Sequence, residues 1–390
     1  MKTGLLLLGL AYVLSQFFRA FLAVLTAPLE MDLGLGPDIL ATASGLWFLS
    51  FAVMQIPVGW ALDTLGPRRT SGWLMLIGGA GGAALFALAQ GPMWLHAGML
   101  LIGVGCSPVL MSSFYIFARE FDPQRFATLA ALMIGVGTLG NVMSSYPMAF
   151  AAETIGWRAA MWLLSGACGL VAVGILLTVR DPAKPQDDAQ GSLLDLLRMP
   201  VLWLLLPIMF VNYAPIAAVR GLWIGPYLRD VFAMTTGQIG VATLLMSLAM
   251  IVGTLLYGPL DRILGTRKWV VFGGNAITAT LLATLALFSD TGPWLAVALM
   301  AAIGFFGTSF PVIIAHARGF FPPHLTGRGV TLMNLFGIGG VGLMQFASGR
   351  IHSAWSGGTP DAPYVAIFAF LAVSLAAGLL AYARSRDTTD

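Results

Sequence analysis

Long apolar runs separated by short polar breaks recur from one end of the chain to the other. A helix needs about 20 apolar residues to cross a bilayer. Twelve segments reach that length: 4–28, 39–62, 71–90, 94–118, 126–151, 158–179, 201–228, 237–260, 269–288, 293–315, 327–349 and 363–383. The opening Met1-Lys2 and Leu5 to Leu10 resemble a signal peptide. The run continues to Pro28 without a small-residue cleavage site, which predicts an uncleaved first helix.

The densest charge lies near the middle, from Arg180 to Met199, and separates two sets of six segments. It predicts a six-helix bundle over 1–180, a linker over 181–200 with a short interfacial helix at Leu193–Leu197, and a second bundle over 201–390. The halves repeat at an offset near 199. Gly59, Gly66, Arg68 and Arg69 correspond to Gly258, Gly265, Arg267 and Lys268, Arg119 to Arg318, Pro123 to Pro322, and Gly140 to Gly339. Loop signatures in register describe two parallel repeats about an axis normal to the membrane.

Composition agrees with this reading. Charged residues make up 9 % and hydrophobic ones 58 %, where a soluble domain carries about 25 % charged residues. The net charge of +3 is spread between the apolar segments, so it speaks for topology and against nucleic-acid binding. With the N-terminus inside, fifteen Lys/Arg fall on cytoplasmic ends and three (Arg158, Arg229, Arg350) on the other side. That bias predicts cytoplasmic termini in a plasma (inner) membrane. Cys106 and Cys168 both lie in apolar stretches, so no disulfide framework is implied.

Two basic residues lie within the spans. Tyr12 and Arg19 stand seven residues apart in the first, and Tyr213 and Arg220 repeat that spacing 201 residues later. Seven residues is about two helical turns, which predicts each Tyr and Arg on one helix face. A guanidinium in hydrocarbon usually marks a substrate path, although near a span end it can snorkel to the interface. Its planar fork suits carboxylate or phosphate, and no Asp or Glu precedes Glu30 and Asp32 at the end of the first span.

The loop after the second span reads Gly59-Trp-Ala-Leu-Asp63-Thr-Leu-Gly66-Pro-Arg68-Arg69. It resembles the loop signature of the major facilitator superfamily of secondary transporters, G-x-x-x-D-x-x-G-x-R-[KR]. The second copy departs from it, with Arg262 in the acid's slot and Asp261 one place earlier. The resemblance covers essentially the whole chain. It implies that helices 1, 4, 7 and 10 line a central cavity, with Arg19 and Arg220 facing each other across it. It also implies that Gly59, Asp63, Gly66, Arg68, Asp261, Arg262 and Arg267 gate the conformational cycle, the alternative being that they only fix turns and topology. Organophosphate:phosphate exchangers of the superfamily similarly carry an arginine on the first helix of each bundle.

Candidate substrate-binding partners of the arginines are Gln16, Asn212, Tyr115, Asn141, Asn334 and Gln345, with Trp47 and Trp223 as apolar walls. For each of these an interhelical hydrogen bond or interface aromatic is the competing reading. Many aromatics and few polar groups suit an organic anion with an apolar body better than a sugar. The function expected is alternating-access transport of a small organic anion, carboxylate or phosphate ester, as exchanger or proton-coupled symporter. The partners expected are that anion, protons or a counter-anion, and membrane lipid, with a monomeric protein and no cofactor.

Rival readings are weaker. Drug efflux is disfavoured because helix 5 lacks a Gly-Pro pair, Pro147 following Tyr146. Copper import would use Met246 and Met250, which equally serve as packing. Phosphate loops, nucleophile motifs and metal-ligand clusters that would signal an enzyme are missing from the sequence.

Overall fold

In the computed structural model, residues 2–182, 196–322 and 325–388 are described, and every described element is helical. The first three residues of the predicted interfacial helix, Leu193 to Asp195, most of the linker and His324 lie outside the described residues, while Leu196 and Leu197 are helical. By length and composition, ten helices can cross a membrane, or up to twelve when each of two bent pairs is one span. Helices are the expected solution, because a spanning segment must satisfy its backbone groups internally.

The chain divides into two compact units, Met1–Asp188 and Ala189–Asp390. In the first unit, α1 (Lys2–Phe17) and α2 (Leu22–Leu33) form the first bent pair, at 57°. The second, α3 (Pro37–Val53) and α4 (Gln55–Thr64), bends by 40°. Then come α5 (Pro67–Leu74), a π-helical segment at Met75–Ala80, α6 (Gly81–Ala87), α7 (Pro92–Cys106), α8 (Val109–Glu120), α9 (Pro123–Met143), α10 (Tyr146–Thr154) and α11 (Trp157–Thr178).

The second unit contains α12 (Leu202–Asn212), α13 (Ala214–Ala218), a π-helical segment at Val219–Trp223, and α14 (Ile224–Phe232). It continues with α15 (Thr236–Leu264), α16 (Lys268–Leu287), α17 (Pro293–Phe306), α18 (Phe310–Arg318), α19 (Thr326–Trp355) and α20 (Ala362–Tyr382).

Interruptions fall on the first, second, third, fourth, fifth, seventh and tenth spans. Pro108, Pro215 and Pro311 sit beside three of them, where a missing N–H and a fixed φ break the ladder. The turn at residues 18–21 contains no proline, so its sequence gave no warning. In membranes small residues let helices approach. A Cβ on Gly140 would lie 2.0 Å from the Val13 carbonyl, joining α9 to α1. Gly340 meets the Phe210 carbonyl at the same 2.0 Å. Gly340, next to the sequence counterpart Gly339, therefore makes the same kind of close approach as Gly140.

Candidate functional site

Arg19 is not on a helix face shared with Tyr12. α1 stops at Phe17, and Arg19 occupies the turn before α2, so regular helical spacing does not reach it. Tyr12 instead receives a hydrogen bond from Gln16 Nε2 at 2.8 Å, and both are buried. Arg19 is half-buried, with its guanidinium carbon 5.1 Å from the centre of the Phe51 ring and 5.6 Å from that of Trp47. Such contacts contribute about 0.5–2 kcal/mol, more where water is excluded. Arg19 Nε and Trp47 Nε1 are buried without a hydrogen-bond partner, and the buried Ser15 Oγ lies beside the Cys106 thiol. The structure thus brings Trp47 to Arg19 as a cation–π partner.

The second pair is corrected likewise. Tyr213 caps the end of α12, and Arg220, almost fully buried, lies in the π-helical segment, whose wider turn shifts residues off the α-helical faces. π-segments occur often at functional sites. Tyr213 packs on Phe310 at 5.8 Å. Asn212 Nδ2 donates to Asn275 Oδ1 at 2.7 Å and to Ser309 Oγ at 3.0 Å, so it joins α12, α16 and the start of α18. Trp223 stacks on His352 at 5.2 Å and donates to Ser348 Oγ at 2.9 Å; Ser348 in turn donates to the Gln345 carbonyl. Trp223 and Gln345 therefore share one buried node. Asn141 on α9 and Asn334 on α19 are half-buried.

Tyr115 belongs elsewhere. The Arg119 guanidinium lies 3.4 Å from its ring centre, and Arg119 pairs with Asp63 at 3.7 Å. Tyr115 and Asp63, with Gly66, Arg68 and Asp181, border a polar cavity of about 250 Å³ at the loop joining α4 to α5. Gly66, immediately before α5, ends that loop at φ +87°, a backbone conformation that side chains rarely tolerate. Gly59 stands on α4 with no neighbour in the direction a Cβ would take.

In the second unit Asp261 pairs with Arg267 at 3.3 Å, while Arg262 is exposed. Moving the acid by one residue turns it by about 100° around the helix, which accounts for the new partner.

Sequence reasoning missed the residues that tie down these loops. The Arg68 N–H donates to Asp181 at 2.8 Å. In the second unit Asp387 accepts from Thr266 Oγ1 and from the N–H groups of Arg267 (3.2 Å) and Lys268 (2.9 Å). Burial raises the Asp387 carboxyl, but these donors outweigh it and hold it below the ordinary carboxylate value. His316 bonds the Arg386 carbonyl at 2.9 Å and the Tyr382 hydroxyl at 2.7 Å, completing a strap over the loop. The signal was an Arg-Asp dipeptide after each bundle's last helix, Arg180-Asp181 and Arg386-Asp387. Its offset of 206 lies outside the 199 repeat.

Two units of membrane-length helices, each with an arginine at an interrupted first span, describe a polytopic helical membrane protein. The family model of the Major Facilitator Superfamily matches residues 8–222 and 208–390. The chain belongs to this superfamily.

An MFS-type efflux pump of Mycolicibacterium smegmatis is 28 % identical over 337 residues, covering 81 % of this chain and 76 % of that protein. A gallate transporter of Pseudomonas putida is 29 % identical over 149 residues, 37 % of this chain and about a third (32 %) of its own length. Among solved structures, a D-xylose-proton symporter superposes with a TM-score of 0.79, covering 98 % of this chain and 97 % of that one at 14 % identity. That likeness concerns the fold alone.

Proposed function

We propose that this transporter moves a small organic anion, a carboxylate or phosphate ester, by alternating access in the inner membrane, with both termini cytoplasmic. Arg19 and Arg220 are the cationic groups that meet the substrate. Exchange for a counter-anion and proton-coupled symport are both compatible with this arrangement. The observation that carries the reading is Arg19. Its guanidinium sits at an interrupted span, against aromatic rings, with a buried Nε that has no protein partner. Guanidinium forks favour bidentate anions, and broken membrane helices commonly house substrate sites. The likeness to a gallate transporter points the same way.

The test is uptake into proteoliposomes preloaded with carboxylates or phosphate esters. Arg19→Ala and Arg220→Ala are expected to abolish it while the proteins remain monodisperse. Undiminished transport by both variants sinks the proposal. Drug efflux is the second reading, motivated by the mycobacterial relative. Proton-driven extrusion of a lipophilic cation, insensitive to Arg19→Ala, would establish it instead.

A further inference from the structure

The surroundings of Arg19 in the first unit restrict which anion fits. The guanidinium lies against two rings that are themselves stacked, Trp47 and Phe51, 5.2 Å apart with 20° between their planes. The rings lie against the guanidinium, and its buried Nε has no protein hydrogen-bond partner. Phe17, Phe18 and Phe21 flank Arg19 in the turn and pack on one another at 5.6–5.8 Å.

Two buried polar atoms of this region, Arg19 Nε and Trp47 Nε1, lack a hydrogen-bond partner, and the third, Ser15 Oγ, has the Cys106 thiol beside it. The first two can only donate, and the hydroxyl can donate. Buried polar groups are normally satisfied, so two orphan donors in one neighbourhood point to a ligand that accepts.

The nearby amides are already committed. Gln16 Nε2 donates to Tyr12 at 2.8 Å, and Gln55 Nε2 to the Phe51 carbonyl at 3.0 Å. A polyhydroxylated acid would bring several hydroxyls out of water into an aromatic wall, each needing a partner. A carboxylate on a flat apolar ring needs only donors at one end and ring faces at the other.

We infer that Arg19, Trp47 and Ser15 form a carboxylate-binding subsite selective for aromatic monocarboxylates over polyhydroxy acids. Arg19 Nε and Trp47 Nε1 donate to the carboxylate, with the Ser15 hydroxyl as third donor, and the neighbouring rings hold the aromatic body. This rests on the organic-anion reading above and adds the chemical class and two specificity residues, Trp47 and Ser15. In Trp47→Phe an aromatic ring stays and the donor goes, with a smaller ring in a fully buried place. Ser15→Ala removes only a hydroxyl, so the melting curves separate lost packing from a lost donor.

The experiment is isothermal titration of the full-length protein in nanodiscs with benzoate, benzamide and gluconate, with melting curves as folding controls. Benzoate is expected to bind at least about tenfold more tightly than gluconate, with no binding of neutral, isosteric benzamide. Trp47→Phe and Ser15→Ala should each weaken benzoate by about fivefold, the scale of one hydrogen bond, and Arg19→Ala should abolish binding. Gluconate binding as tightly as benzoate while still requiring Arg19 overturns the aromatic selectivity and leaves the anion reading standing. Benzoate binding unaffected by Trp47→Phe and Ser15→Ala overturns the donor assignment. Binding of neither carboxylate, or binding unchanged in Arg19→Ala, overturns the inference. If the transport assay above also finds Arg19 dispensable, the organic-anion reading falls with it.

Discussion

Replacing Asn212 by Ala separates a structural role from a substrate-binding one. Its side chain is fully buried and donates to Asn275 and Ser309 at 2.7 and 3.0 Å. Interhelical hydrogen bonds in membrane proteins contribute about 0.6 kcal/mol each on average, so losing two removes about 1 kcal/mol. The substitution also strips Asn275 Oδ1 of this donor, a buried acceptor whose desolvation costs about 1–3 kcal/mol. Against this, Asn212 Oδ1 has no partner in the folded protein, and deleting it returns a comparable amount. The net expectation is about 1 kcal/mol of destabilisation. For a unit of about 200 residues that corresponds to a melting temperature lower by about 2–4 °C. Intrinsic-fluorescence melting in detergent measures it, beside substrate KM in proteoliposomes. The paired change Asn212→Leu with Asn275→Leu should recover only the part of the loss that comes from Asn275 Oδ1, because Ser309 Oγ then loses both of its amide donors. Unchanged melting together with a raised KM in Asn212→Ala would refute the reasoning and return Asn212 to the substrate path.

Gly140→Ala places a Cβ 2.0 Å from the Val13 carbonyl and 2.8 Å from the Phe17 N, so about 1–3 kcal/mol of overpacking is expected. Gly135→Ala, with open space around it, should melt like wild type. Asp63→Asn removes an ion pair that is largely exposed at the acid. Its stability should change by less than about 1 kcal/mol, while proteoliposome transport rates change if the pair gates the cycle. The Asp387 carboxyl is depressed in the folded state, so its contribution is present at neutral pH and is lost as pH falls through the folded value, below about pH 4. Hydrogen exchange across residues 382–388 should rise in that acid range for wild type. In Asp387→Asn it should be elevated at all pH values, with about 1 kcal/mol lost as for a helix cap.

Hydropathy alone determined the helical class and marked two arginines too costly to be incidental, because burial in lipid leaves a one-dimensional signature. The motif of Gly59, Asp63, Gly66, Arg68 and Arg69 carried the superfamily. Spacing failed where the backbone departs from the α-helix. Tyr12 and Arg19 are parted by a turn without proline, and Arg220 stands in a π-helical segment. Periodicity assumes a fixed rotation per residue, so an interruption erases the face it predicts. Only the tertiary structure decided that Trp47 and Phe51, from the second span, lie against Arg19, that Tyr115 belongs with Asp63 and Arg119, and that Asn212 bonds to Asn275. Those partners come from other helices, and the crossings that bring them together depend on close approaches such as Gly140 on Val13. A contact between distant segments is fixed by three-dimensional packing, and no local pattern in the chain encodes it.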